Sequence, residues 1–147
     1  MKISFTILGI PQGKERPRFT RFGKAYTPPK TKFYEETVRA NYKRLIRHKF
    51  SENAPLISEI TAFYKIPKSA SKKLQKKMLN GEIKPTVKPD GDNVIKIILD
   101  ALNGVAFYDD AQVCKILFEK KHGEMPKVCV KIEDLEITEG GKKDAAL

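Results

Sequence analysis

The chain has 147 residues, a hydrophobic fraction of 40% and a formal net charge of +11 at pH 7. This length and composition fit a single globular domain and exclude a disordered chain, while the strong positive charge favours a polyanionic partner, nucleic acid first. No apolar run reaches the about 18 residues of a membrane span and no signal peptide is evident, so we expect a cytoplasmic protein that does not bind membranes.

The first half of the chain predicts a strand, a loop, a helix and a second strand. Apolar residues alternate over residues 2–9, which is typical of a strand. Prolines and glycines interrupt residues 11–29 and predict a loop or short hairpin. Apolar residues at helical spacing then predict a long amphipathic helix over residues 30–50. Residues 56–66, rich in Ile, Thr, Phe and Tyr, predict the second strand.

The loop at residues 11–29 is the first strongly basic segment. Phe19, Phe22 and Tyr26 alternate with its basic residues. Such interleaving suits a phosphate backbone with unstacked bases nearby, and it equally suits aromatic residues that pack within a hairpin. The side chains expected to bind nucleic acid here are Lys14, Arg16, Arg18, Arg21 and Lys24.

A second basic segment follows the second strand. Residues 68–86 are rich in lysine and predict a basic arm between two elements rather than a separate domain. Ser69 or Ser71 is a candidate cap for a short helix, and the pair Asn80-Gly81 is a typical end signal. The lysines expected to bind nucleic acid here are Lys72, Lys73, Lys76 and Lys77.

The rest of the chain predicts a core-facing helix over residues 94–102 and strands over residues 113–121 and 128–135. We expect one domain over residues 1–137 and a flexible tail over residues 138–147. This order of elements predicts an α+β fold, in which two main helices pack on a small mixed or antiparallel sheet.

Five aspartates interrupt this basic chain between residues 88 and 113: Asp90, Asp92, Asp100, Asp109 and Asp110. An aspartate at a helix start usually caps the helix, which explains one of them but not two separate pairs. Three carboxylates can bind Mg²⁺, and an ammonium group beside them can neutralise a scissile phosphate. Lys96 follows Asp92 by four positions, so it is a candidate for that role or for an ordinary helical ion pair. Asp100 lies one turn beyond Lys96, its expected partner.

The segment KPDGDNVIKIILDALNGVAFYDDAQV resembles the signature of the RusA family of Holliday junction resolvases. Residues 14–35 resemble the N-terminal loop and helix start of many members, whereas the lysine-rich residues 68–86 look like an insertion relative to the family. The resemblance implies a Mg²⁺-dependent, homodimeric endonuclease that cuts two strands of a four-way DNA junction. It also implies that Asp90, Asp92 and Asp110 are catalytic metal ligands, that Lys96 is the catalytic lysine, and that Asp109 is a supporting ligand.

Two other interpretations fit the basic composition. One is a binding module of the same fold whose carboxylates only cap helices, and the other is a basic RNA-binding protein of the ribosomal type. Acidic residues beside a phosphate-binding surface weaken binding electrostatically, which counts against a pure binder. The combination of Asp90, Asp92, Lys96 and Asp110 therefore favours the nuclease.

Overall fold

The computed structural model describes residues 1–135, and the tail expected from residue 138 lies outside the described residues. The strands are β1 (Lys2–Leu8), β2 (Arg18–Phe19), β3 (Ala25–Tyr26), β4 (Leu56–Lys65), β5 (Val113–Gly123) and β6 (Lys127–Asp134). The helices are α1 (Pro29–Leu45), α2 (Lys72–Leu79) and α3 (Gly91–Leu102), followed by a 3-10 turn (Asp110–Gln112).

The main sheet has four strands in the order β1-β6-β4-β5. β6 pairs antiparallel with both β1 and β4, whereas β4 and β5 are parallel, so the sheet is mixed. Although β5 and β6 are consecutive in the chain, β4 lies between them. Alternate residues of β4 are buried along the whole strand, whereas most of β5 is exposed. This burial explains why β4 is internal and β5 forms an edge.

The core lies between the sheet and the helices α1 and α3. Val38 and Tyr42 of α1 and Ile98 of α3 are almost fully buried. The rings of Phe5 and Tyr42 meet edge to face with their centres 5.4 Å apart, which fixes α1 against β1. The predicted α+β fold with two main helices on one small sheet is confirmed.

Two helix boundaries differ from the sequence prediction. α1 ends at Leu45 rather than near residue 50, because Ile46 is extended and the chain turns. This turn buries Phe50 completely and lets its N–H donate to the Ala106 carbonyl oxygen over 2.9 Å. α3 begins at Gly91, three residues before the apolar stripe on which the prediction rested. Within residues 1–135, no helix is long and apolar enough to cross a membrane.

Candidate active site

The loop that leads into α3 presents Asp90 and Asp92 on the surface. Asp90 occupies the N-cap position, but its side chain makes no capping hydrogen bond. Its carboxylate lies 3.1 Å from the ammonium group of Lys88, and both side chains are more than half exposed. An ion pair this exposed is weak and easily exchanged. Asp90 therefore does not cap the helix, a structural role that would have accounted for an aspartate at this position. Its carboxylate is accessible to a ligand.

Two glycines allow this loop to pack closely against its surroundings. A Cβ atom on Gly13 would lie 2.8 Å from Cβ of Pro89, and one on Gly91 would lie 2.8 Å from Cε2 of Phe118. The Tyr64 hydroxyl donates to the Pro89 carbonyl oxygen over 3.3 Å. A side chain at either glycine would push its neighbour away. The glycines thus let the loop before α3 lie against the N-terminal loop on one side and against β5 on the other.

Lys96 lies on an exposed position in the middle of α3. Within residues 1–135, its ammonium group has neither a hydrogen bond nor an ion pair. The alternative helical pair with Asp92 is not formed. Asp100, which we expected to pair with Lys96, instead lies 3.1 Å from the ammonium group of Lys14. Lys96 therefore remains available to an anion from outside the chain.

The 3-10 turn that follows α3 is fixed by its own side chains. Oδ1 of Asp109 accepts a hydrogen bond from the Ala111 N–H over 3.1 Å, and Oε1 of Gln112 accepts one from the Asp109 N–H over 3.2 Å. The Gln112 amide donates to the carbonyl oxygens of Ser51 and Ala54 over 2.8 and 3.0 Å. Asp109 thus caps the turn, and Gln112 anchors it to the segment before β4. Sequence analysis missed the role of Gln112.

Asp110 is partly buried and lies within electrostatic reach of α3. Burial raises the pKa of its carboxyl group, the nearby Asp109 and Asp100 raise it further, and the Lys96 ammonium opposes the shift. The pKa of Asp109 is lowered, because the Ala111 N–H and the Asp110 carboxyl group hydrogen-bond to it. The turn therefore returns the chain to the middle of α3. A divalent cation would stabilise the charged form of Asp110 in these surroundings.

The chemistry of the predicted ligands suits Mg²⁺, since carboxylate oxygens are the ligands that this hard cation prefers. Asp90 and Asp92 are accessible, and among residues 1–135 no cationic side chain forms an ion pair with Asp110. Within residues 1–135, however, no group of three or more Asp, Glu, His or Cys side chains is close enough to hold a metal ion. The donor set fits the metal by type, but its side chains are not gathered into one site. A shared site that includes Asp109 stays a prediction.

An ion-pair cluster that sequence analysis missed lies beside α3. The Lys14 ammonium is 2.6 Å from the Glu35 carboxylate of α1 and 3.1 Å from the Asp100 carboxylate. Burial alone would lower the pKa of Lys14, but hydrogen bonds to both carboxylates outweigh burial, and the pKa is raised. No local spacing rule predicts contacts among residues so far apart in the chain. Lys14 is thus enclosed between two carboxylates, whereas the exposed Arg18 of this loop lies 3.7 Å from Glu15 in a looser pair.

The basic loop forms the exposed β2–β3 hairpin. Oγ1 of Thr20 accepts hydrogen bonds from the N–H groups of Phe22 and Lys24, each over 3.2 Å, and so closes the tip. Phe19 and Phe22 are 69% and 85% exposed, and the Arg21 guanidinium lies 5.2 Å from the centre of the Phe22 ring. Aromatic rings this exposed favour the stacking interpretation over packing within the hairpin. The exposed basic residues of this segment are Arg16, Arg18, Arg21 and Lys24.

The lysine-rich segment forms α2, which packs against the edge strand β5. Of the two candidate caps, Ser71 is the one used: its Oγ accepts a hydrogen bond from the Leu74 N–H over 3.2 Å. Lys84, beyond the helix, lies 2.8 Å from Glu119 of β5. The four exposed lysines of α2 have no ion pair within the described residues: Lys72, Lys73, Lys76 and Lys77.

Two comparisons with known proteins bear on this site. The family model described as endodeoxyribonuclease RusA matches residues 9–133, which include every residue predicted to be catalytic. The chain is also 35% identical over 138 residues to the uncharacterized protein YqaN of Bacillus subtilis (strain 168). That match covers 90% of this chain and 96% of the relative.

Proposed function

Because the chain belongs to the RusA endodeoxyribonuclease family, we propose that it resolves Holliday junctions by a Mg²⁺-dependent pair of symmetric cuts in DNA. The family supports the nuclease activity, while the junction, the metal and the paired cuts are proposed for this chain. The observation that carries the proposal is that Asp90 lies at the start of α3 but its side chain makes no hydrogen bond that caps the helix. Within residues 1–135, its exposed carboxylate is paired only with the exposed Lys88 ammonium and is accessible to a metal ion.

The proposed reaction assigns roles to five side chains. Asp90, Asp92 and Asp110 would hold Mg²⁺, with Asp109 as a supporting ligand. When bound, Mg²⁺ supplies Lewis-acid chemistry that activates the attacking water and stabilises the leaving oxygen. Lys96 places its ammonium group beside the scissile phosphate and neutralises charge that develops there.

Two exposed basic surfaces flank these residues and support binding of junction DNA. The β2–β3 hairpin contributes Arg16, Arg18, Arg21 and Lys24, and α2 contributes Lys72, Lys73, Lys76 and Lys77. Contacts of this kind bind phosphates by counterion release and carry no sequence information. We leave Lys14 out of these surfaces, because its ammonium group is already paired twice.

The active unit is proposed to be a homodimer that works in the cytoplasm. A four-way junction is close to two-fold symmetric, and its resolution needs two opposed cuts. A dimer with two-fold symmetry places one active site at each cut, and such dimers are the commonest oligomers.

A non-catalytic nucleic-acid-binding module of the same fold is the alternative. It requires the proposed ligands to be structural, and among Asp90, Asp92, Asp109 and Asp110 the structure shows a capping role for Asp109 alone. Asp90 makes no capping hydrogen bond. The pKa of Asp110 is raised, first by burial and then by the nearby Asp109 and Asp100 carboxyl groups. The alternative leaves both unexplained.

The test is cleavage of an end-labelled synthetic four-way junction, with Mg²⁺ or with EDTA. We expect paired cuts with Mg²⁺ and intact junction with EDTA. Asp92→Asn should abolish cleavage and still bind the junction in a gel shift, because a lost negative charge does not weaken phosphate binding.

Glu124→Gln is the matched control, because it also removes one exposed negative charge. Glu124 follows the far end of β5, about 30 Å from Asp110 at a strand rise of about 3.3 Å per residue. It should cut like the wild type. If the wild-type protein binds the junction tightly and never cuts it with Mg²⁺, the binding module is the correct interpretation.

A further inference from the structure

The ion-pair cluster around Lys14 determines which cation faces Asp100. Lys14 lies between Glu35 and Asp100, with its Nζ 2.6 and 3.1 Å from their carboxylates. The Lys14 side chain is only 18% exposed, and those of Glu35 and Asp100 are 11% and 30% exposed. Ion pairs this sheltered are screened by salt much less than surface pairs. The cluster is therefore a persistent feature of the fold.

Asp100 has a second potential partner on its own helix. Lys96 precedes it by four residues, and side chains at this spacing are neighbours on a helix surface. The structure nevertheless pairs Asp100 with Lys14 and leaves the Lys96 ammonium without an ion pair among residues 1–135. Asp100 can therefore pair with either of two lysines. It pairs with Lys14, which is not proposed to act on the phosphate.

The backbone fixes Lys14 in this position. Its N–H donates to the Asn93 carbonyl oxygen of α3 over 2.9 Å. The preceding Gly13 packs against the same residue, since a Cβ atom there would lie 3.2 Å from Cβ of Asn93. The ammonium group therefore approaches α3 from a loop that is itself bonded to α3. Glu35, on α1, holds the other side of the ammonium group.

We propose that Lys14 is a positioning residue: it holds Asp100 away from Lys96, so that the Lys96 ammonium stays available to the scissile phosphate. The inference rests on the proposed function, because it assigns Lys96 to the reaction. It gives Lys14 a role different from DNA binding. Without Lys14, Asp100 would be an unpaired carboxylate one helical turn from the lysine that the reaction needs.

The test is a series of variants in a Glu35→Gln background, which avoids leaving a buried carboxylate unpaired when Lys14 is removed. Glu35→Gln itself is the reference protein. Adding Lys14→Met should lower kcat for junction cleavage about two- to threefold, the reduction expected when an ordinary helical pair with Asp100 competes for Lys96. Junction affinity in a gel shift should stay within about twofold, since one enclosed lysine contributes little to phosphate binding.

Adding Asp100→Asn to that double variant is the decisive step. The asparagine cannot form an ion pair with Lys96, so kcat should return to that of the Glu35→Gln reference. A merely structural role for Lys14 predicts that kcat follows Tm through the series, whereas competition for Lys96 predicts that kcat recovers whether or not Tm does. Asp100→Asn alone should cut at the wild-type rate. Loss of cleavage in that single variant, or failure of the rescue, overturns the inference.

Crystal structures of the reference and of Lys14→Met/Glu35→Gln provide a readout that needs no activity. The Lys96 ammonium should lie within 4 Å of the Asp100 carboxylate in the second protein and beyond that distance in the first. An unchanged Lys96 side chain contradicts the inference. If the wild type cuts no junction, the proposed function fails by itself, and the exchange of partners in the crystals still shows whether Lys14 controls Asp100.

Discussion

The two acidic segments, the start of α3 and the 3-10 turn after it, use their aspartates differently. At the start of α3, neither Asp90 nor Asp92 makes a hydrogen bond that stabilises the helix. In the turn, Asp109 caps the backbone while Asp110, its neighbour, has a raised pKa because of burial first and then nearby carboxyl groups. Two adjacent aspartates can thus have different roles, one structural and one proposed to bind the metal. Their positions in the motif do not by themselves show which role each residue has.

The strongest test of this comparison is to neutralise each proposed ligand. Asp90→Asn, Asp92→Asn and Asp110→Asn should each lower junction cleavage by about 10²–10³-fold or more, the size expected when a main electrostatic contribution is removed. Binding should be equal or tighter, because each change removes negative charge from a DNA-binding surface. Single-turnover cleavage and gel shifts on one junction measure both. A variant that cuts near the wild-type rate identifies an aspartate that is not a ligand.

The next largest effect is expected at Lys96, whose ammonium group acts electrostatically on Asp110 of the second segment. Lys96→Ala should remove most of the cleavage rate and little of the affinity, because it is one of 29 basic residues. Lys76→Ala on α2 is the matched control and should change cleavage at saturating protein very little. If added protein restores the rate of Lys96→Ala, this lysine binds DNA rather than assisting the reaction.

Dimer formation would bring two copies of both segments to one junction. Sedimentation at micromolar concentration should give about twice the chain mass of 16.7 kDa. Mixed dimers with one Asp92→Asn protomer should cut a single strand and accumulate nicked junction, since each protomer supplies one site. A protein that stays monomeric on DNA and still makes paired cuts contradicts the homodimer.

The smallest effect is expected at Asp109 and separates its capping role from metal binding. Asp109→Asn keeps a side-chain oxygen that can cap the turn, so it should lose less cleavage than Asp110→Asn does. Asp109→Ala removes the cap and should lower Tm by about 2–4 °C, the usual consequence of one lost cap in a domain of this size. Equal losses of cleavage in Asp109→Asn and Asp110→Asn would show that both residues act as ligands.

The sequence by itself determined the order of helices and strands and the residues of the candidate site. Strand alternation, helical spacing and capping signals involve neighbours in the chain, so they can be read without a fold. The acidic residues stand out for the same reason, since five aspartates occur close together in a basic protein. The prediction of Ser71 as one of two possible helix caps is of this local kind, and the structure selected it.

Only the tertiary structure decided how distant segments meet. Nothing local indicates that β4 separates β5 from β6, that Gln112 anchors its turn to Ser51, or that Lys14 and not Lys96 pairs with Asp100. The early end of α1 belongs here too, because the chain turns at Ile46 so that Phe50 can enter the core. In each case the contact that forms joins residues far apart in the chain. Its strength depends on burial and geometry that exist only after the domain has packed.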